Sequence, residues 1–254
     1  MKTSFIRSKK LLAIDTNAKT VKGQKYGFMT GILYMAPSNI SGFQVCPMAA
    51  TAGCENACLY TAGRGAFNSV QQSRIDKALW FHTERESFML QVVKDIRKLI
   101  RKANEAGMTP LVRLNGTSDI RWENIAVTDN GATYDNLMSL FPEIQFYDYT
   151  KLANRKQLPT NYDLTFSYSG TPAYQKFVNI ARANGMRIAV VFRNAADIPA
   201  SFLGMECIGG DDSDIRHLEP QGVVVALYAK GQAKNDTTGF VVDRHPTIAI
   251  KLAA

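Results

Sequence analysis

Apolar residues recur at intervals of three and four between Met89 and Ala103: Met89, Val92, Val93, Ile96, Leu99, Ile100 and Ala103 share one face of a helix. The surrounding pattern predicts a helical stretch over residues 68–104, with Ser87 as an internal break that would divide it in two. Gly107 and Pro110 end it. Upstream, Gly31–Met35 (GILYM) reads as a short buried strand. Downstream the pattern changes to short β-branched and aromatic runs at Leu111–Leu114, Gln145–Tyr149, Leu164–Tyr168, Arg187–Phe192, Met205–Ile208 and Val223–Tyr228. Helical or loop segments, such as Tyr134–Phe141 and Pro172–Asn184, lie between several of them. Strands alternating with helices predict an α/β fold with a parallel sheet. The six or seven strands suit an incomplete (β/α) barrel better than a closed eight-fold one. Residues 1–27 are basic and polar and are expected to form a loosely packed arm, with residues 28–254 as a single barrel-like domain.

Polar residues gather just after these strands: Asn115 to Asp119, Thr150 with Lys151, Ser167 with Ser169, Arg193 with Asn194, and Gly209 to Asp212. In a barrel all of them would converge on the C-terminal face, where active sites sit. Turns need polar residues on their own account, so no single group exceeds that simpler explanation. Tyr147, Tyr149, Phe166 and Tyr168 alternate along strands and are expected in the core rather than as stacking platforms for bases.

The chain has 254 residues, which suits one large α/β domain or two small ones, and 46% of them are hydrophobic, enough for a full core. No apolar window of about eighteen residues occurs, so no membrane span is expected. Nor does the start resemble a secretory signal, and a cytoplasmic location, including a host's cytoplasm, follows as the expectation. Thirty Lys and Arg against 22 Asp and Glu give a net charge of +8, which favours an anionic partner such as nucleic acid or a nucleotide. The densest basic group is Lys94, Arg97, Lys98, Arg101 and Lys102, on the predicted helix, where a solvated face is the simpler reading. The acidic run Gly209 to Asp214 lacks the spacing of a calcium loop. Lys230 to Lys234 lacks that of a P-loop.

Of four cysteines, Cys46, Cys54 and Cys58 fall within thirteen residues, directly after the first predicted strand. In a reducing compartment clustered thiols point to a metal or to catalysis rather than to disulfides. Thiolates ligate both iron–sulfur clusters and zinc. The small residues between them let backbone amides approach the sulfurs, and Gly53 can adopt a positive φ. A closed zinc site needs a fourth ligand, for which Cys207, His82, His217 and His245 are candidates. A [4Fe-4S] cluster on three cysteines would leave one iron open, as S-adenosylmethionine requires. Zinc and iron–sulfur both stay open at this point, and Cys207 is either a ligand or core.

Three segments carry a family resemblance. They are the cysteine loop running into Leu59-Tyr60 and Gly63-Arg64-Gly65, the strand and turn from Val112 to Ile120, and the strand from Phe141 to Lys151 that ends Tyr-Thr-Lys. Together they resemble the phage gene product eighty-eight family, which is itself similar to radical S-adenosylmethionine enzymes. The resemblance implies that Cys46, Cys54 and Cys58 hold a cluster. It implies that Asn115, Ser118 and Asp119 face a bound S-adenosylmethionine, and that Lys151 and Arg193 bind an anionic substrate. For Asp119 a helix N-cap before Ile120–Asn124 is the competing role. The thiol spacing, Cys-x7-Cys-x3-Cys, departs from the Cys-x3-Cys-x2-Cys usual in radical enzymes. The alternative is a non-catalytic protein, stapled by zinc or a cluster, that binds nucleic acid.

Overall fold

The computed structural model describes residues 4–14 and 18–243. It is a mixed α/β fold around one nine-stranded sheet. The strands and α-helices are, in chain order, β1 (Leu12–Ile14), α1 (Ala18–Gln24), β2 (Phe28–Leu33), α2 (Asn68–Thr83), α3 (Arg85–Glu105), β3 (Thr109–Arg113), β4 (Val127–Asp129), β5 (Ala132–Tyr134), α4 (Leu137–Leu140), β6 (Gln145–Thr150), β7 (Tyr162–Ser167), α5 (Gln175–Ala183), β8 (Ile188–Phe192), β9 (Ser201–Phe202), β10 (Met205–Gly209) and β11 (Val224–Tyr228).

The sheet order is β1-β2-β3-β6-β7-β8-β11-β10-β9, with β4 and β5 forming a separate hairpin. The seven strands from β2 through β10 in that order are parallel to their neighbours; β1 and β9 are antiparallel at the two ends. No pairing joins those ends among the described residues. All seven predicted strands exist, shifted by up to three residues.

The predicted long helix is two helices, and the break falls at Glu84 rather than Ser87. Ser87 still takes part: its hydroxyl accepts from Trp80 Nε1 at 2.7 Å and donates to Glu84 O at 3.1 Å. The apolar face of α3 buries Phe88, Met89, Val92, Val93, Ile96, Leu99 and Ala103 against Val112, Leu114, Phe146 and Leu164 of the sheet. Gly107, at φ +64°, turns the chain out of α3, and the Met108 amide returns to Ala103 O at 2.8 Å. On the same sheet face, α5 packs Val178 and Ala181 against Phe166, Ile188 and Val224.

The described part of the basic N-terminal segment is integrated into the fold rather than loosely packed. Strand β1 pairs with β2, Leu11 and Leu12 are buried, and both their amides donate to the buried Asp95 carboxylate of α3, at 2.5 and 3.0 Å. Residues 1–3 and 15–17 of that segment lie outside the described residues, as does everything after 243.

The other sheet face is covered mainly by the segment between β10 and β11, which includes one short 3-10 turn at Arg216–Leu218. Because β10 and β11 are parallel neighbours, the chain must return from the C-terminal edge of the sheet to its N-terminal edge. It returns directly across this face. Gly210 lies so close to β11 that a Cβ there would sit 2.4 Å from Val225 Cγ1. Ile215 then packs with Leu111 and Tyr147, and the His217 ring meets Tyr147 and Phe28 at centroid distances of 5.6 and 5.8 Å. Charge pins the crossing. Arg113 NH1 binds the Asp214 carboxylate, which also accepts from Tyr149 OH at 3.2 Å. Arg216 binds Glu219 and the carbonyls of Gly210 and Ser213, while Arg187 binds Glu219 O and Asp163.

Candidate functional site

The cysteine loop leaves the C-terminal end of β2 and is held from three sides. Thr171 Oγ1 donates to Thr51 O at 2.8 Å, Ser169 Oγ to Ala52 O at 2.7 Å and Thr238 Oγ1 to Gly53 O at 2.8 Å. Gly53 has φ +64°, and a Cβ there would sit 2.6 Å from Thr238 Oγ1, so both its conformation and its space demand glycine. On the opposite side the Asp119 amide donates to Val45 O at 2.8 Å, and Cys46 Sγ lies 3.7 Å from Thr117 O. Ser38, buried at φ +51°, hydrogen-bonds Glu55 across the loop.

Cys46, Cys54 and Cys58 are free thiols, each half-buried. They lie within electrostatic reach of one another and of Lys151 and Asp119. Burial pushes the Cys46 thiol up to about 12 and raises the other two. Backbone hydrogen bonds from Ser38, Cys54 and Tyr60 pull the three thiols back down in turn. A second cation, Arg74 of α2, acts on Cys58; its NH1 donates to Tyr60 O at 2.7 Å, and its guanidinium lies 4.9 Å from the Tyr34 ring centroid. Among the described residues no group of three or more His, Cys, Asp or Glu side chains is arranged to hold a metal ion.

Cys207 is not gathered with the others. It lies on β10, in the apolar cluster on the α5 side of the sheet, and its thiol is raised by burial alone. His82 stacks on Phe43 with centroids 4.4 Å apart, and His217 lies against Tyr147; neither is influenced by a thiol. His245 lies outside the described residues.

Asn115, Ser118 and Asp119 sit together after β3, but their polar groups are engaged within the protein. Asn115 Oδ1 accepts from Ser118 Oγ at 2.9 Å, Ile120 N at 2.9 Å and Trp122 Nε1 at 3.0 Å. Asp119 is no N-cap, since the short helix at Trp122–Asn124 is capped by Arg121 without a side-chain bond. Its carboxylate instead accepts from Thr150 Oγ1 at 2.8 Å and Lys151 N at 2.7 Å, with Arg155 NH1 at 3.7 Å. Burial raises its pKa, and those same partners oppose the rise. It ties the end of β6 to the turn that carries Val45 and Cys46.

Lys151 is half-buried at this edge, its Nζ donating to Ser167 O at 3.3 Å, Ser167 Oγ at 3.1 Å and Tyr168 O at 3.4 Å. Arg193 is not among the charges that act on the thiols. It pairs with Asp243 and donates to the carbonyls of Ala233, Lys234 and Asp236, fastening the C-terminal segment to the end of β8. A cavity of about 190 Å³ opens beside the stretch between Cys54 and Cys58, lined by Asn56, Ala57, Gln232, Asn235, Thr237 and Thr238. A larger one, about 260 Å³, lies between α3 and β4 at Arg85, Met89 and Thr128, remote from this chemistry.

Sequence reasoning missed the hydroxyls of Thr171 and Thr238 and the cation of Arg74. Thr171 and Thr238 lie far from the loop in sequence and carry no motif. Ser169 was visible only as one polar residue after a strand.

One model, described as gene product 88, matches residues 7–244. The chain belongs to the gene product 88 family. The match bears out the phage family of the resemblance and extends it from three segments to most of the chain, without showing any likeness to radical S-adenosylmethionine enzymes. No curated protein and no solved structure matches. No helix among the described residues is long and apolar enough to cross a membrane.

Asp148, beneath the site in β6, offers a test of the buried electrostatics. Its carboxylate accepts from Leu114 N at 3.2 Å, Asn115 N at 2.9 Å and Tyr162 OH at 3.0 Å. Burial raises its pKa from 3.8 to about 6, against the pull of Arg113 and these donors. Between those values the folded state binds the extra proton, so stability falls as pH rises from about 4 to about 6 and is level above. The expected loss is on the order of 3 kcal/mol. Urea midpoints of wild type and Asp148→Asn across this range should diverge by that pH-dependent amount; parallel curves would contradict it.

Proposed function

We propose that this family member is an iron–sulfur enzyme of the radical S-adenosylmethionine type, an incomplete β/α barrel holding a [4Fe-4S] cluster on Cys46, Cys54 and Cys58. The observation that carries the reading is three thiols on one loop at the C-terminal edge of a parallel sheet, with the fourth elsewhere. The run of β2, β3, β6, β7 and β8 in chain order supports the barrel.

The donor set fits a cluster better than a single ion. Tetrahedral zinc at about 2.3 Å from each sulfur needs its ligands crowded together and closed by a fourth. Among the described residues Cys207 is not gathered with the three, lying in the apolar cluster beside α5. A cubane takes each cysteine on a different iron, so three thiols suffice and one iron stays open. The backbone hydrogen bonds to the three sulfurs suit thiolate ligands. When bound, such a cluster would supply the electron for reductive cleavage of S-adenosylmethionine.

The chain's own part is to hold the loop and govern access. Ser169, Thr171 and Thr238 fix the 51–53 backbone, and Asp119 fixes the other side through Thr150 and Lys151. A polar cavity at Asn56 and Gln232 adjoins the loop. The net charge of +8 favours nucleic acid or a nucleotide as substrate. The non-catalytic alternative, a closed four-cysteine staple, would need Cys207 at the loop.

The test is anaerobic purification with assay of iron, sulfide and zinc, followed by S-adenosylmethionine and dithionite. Iron with matching sulfide and release of 5′-deoxyadenosine is expected. Iron-free protein would sink the reading, and iron without 5′-deoxyadenosine would remove the radical step. Salt-dependent binding of nucleic acid tests the substrate class.

A further inference from the structure

The cavity of about 190 Å³ beside the cysteine loop lies between two segments that leave the carboxyl ends of parallel strands: residues 56–57, on the loop after β2, and residues 232–238, after β11. Ligands of open α/β sheets bind at that edge. No lysine or arginine lines the cavity. Its one acid, Asp236, is buried and turned into its own segment, where the carboxylate accepts from Thr238 N at 3.3 Å and Val241 N at 2.9 Å. The carboxamides of Asn56, Gln232 and Asn235 belong to exposed residues, and among the described residues none of the three is bonded elsewhere in the protein. One exposed carboxamide is ordinary. Three around one cavity supply convergent donors and acceptors, as a binding site requires.

The frame that carries them is fixed. Gly231 has φ +57°, and a Cβ there would sit 3.3 Å from Ala62 Cβ, so the short 3-10 turn Gly231–Asn235 starts close against the stretch that follows the cysteines. Arg193 donates to the carbonyls of Lys234 and Asp236 at 2.8 and 2.7 Å, and Thr238 Oγ1 to Gly53 O at 2.8 Å. Ala57 packs with Ala229, Ala233 and Val241, which makes one wall of the cavity apolar.

We propose that this cavity binds a single nucleobase, with Asn56, Gln232 and Asn235 reading its polar edge and Ala57 against its ring. A lining without cations suits a neutral ring rather than a phosphate. A carboxamide presents a donor and an acceptor side by side, and so pairs bidentately with the same pattern on a base edge. The volume falls below the about 300 Å³ at which pockets for drug-sized ligands begin, so it admits one ring system and not a base pair. The choice of a base rests on nucleic acid or a nucleotide being the substrate; it does not require the metal centre. Two sources present such a base: a free nucleoside, and an unpaired base in a single strand.

The test titrates the full chain, as wild type and as the double variant Gln232→Ala with Asn235→Ala. The probes are the four ribonucleosides and ribose, followed by ligand NMR, and a labelled single-stranded oligonucleotide of mixed sequence, followed by fluorescence anisotropy. The replaced side chains are exposed and unbonded, so the variant should keep the wild-type urea midpoint. At least one nucleoside or the oligonucleotide should bind wild type more tightly than ribose does, and the variant should bind it about tenfold more weakly. Weakening of the oligonucleotide assigns the pocket to an unpaired base of nucleic acid; weakening of the nucleoside alone assigns it to a free nucleoside. A variant that binds every probe like wild type, or ribose bound as tightly as any nucleoside, overturns the pocket. Oligonucleotide that still binds in that case leaves the substrate reading standing. Wild type that binds neither nucleosides nor oligonucleotide overturns both.

Discussion

Arg113→Met is expected to lower folding stability by about 3–5 kcal/mol. The guanidinium is buried, bonded to Asp214 and 4.0 Å from Asp148, and both carboxylates are buried too. Methionine fills much of the same volume against Tyr147 and Tyr149 and leaves the apolar contacts largely in place. What goes is the charge. Asp214 would keep only Tyr149 OH at 3.2 Å and Arg216 Nε at 4.0 Å. The measurement is the urea midpoint at constant m-value. A loss below about 1 kcal/mol would mean that Arg216 alone neutralises Asp214. Arg113→Met combined with Asp214→Leu should recover part of the loss, since an apolar pair leaves no stranded charge.

The second large effect concerns the thiols. Replacing Cys46, Cys54 and Cys58 together by serine should abolish iron uptake under conditions where wild type binds about four irons per chain, as one cubane requires. Cys207→Ser should bind like wild type, because Cys207 packs in the apolar cluster with Phe202 and Met205. Iron content and visible absorbance read both outcomes. Equal loss in Cys207→Ser would place the fourth thiol in the site and favour a closed centre. The triple variant should fold, since the loop is held by hydroxyl and amide bonds to Thr51, Ala52, Gly53 and Val45 rather than by the thiols.

The contrast between what was legible and what was not follows from range. Periodicity reports burial of one face, so the α3 stripe and the seven parallel strands could be read directly. It fails for three residues: Leu12–Ile14 follows basic residues and looked like part of a loose arm, while the feature that fixes it, buried Asp95, sits within the basic run of α3. The break at Glu84 was displaced for a related reason, because Ser87 accepts the Trp80 indole across the break instead of ending a helix itself. At the site, clustering in sequence revealed the three thiols. The meeting of Asp119 with Lys151 and the grip of Thr238 on Gly53 span 32 and 185 residues, and nothing local encodes them. Arg193 shows the converse: a charged residue after a strand resembles a substrate anchor, yet its donors are taken by carbonyls of its own chain.

The crossing from β10 to β11 bears on how the chain is made. Synthesis delivers β8 first, then β9 and β10, and β11 last, yet β11 lies between β8 and β10. Until Val224–Tyr228 emerges, β8 presents an open edge and the β9–β10 hairpin has no place in the sheet. In the folded chain the crossing rests on Arg113, Tyr147 and Arg187. A nascent chain stopped before residue 224 therefore carries an unpaired parallel edge, the surface most prone to pair with a second copy.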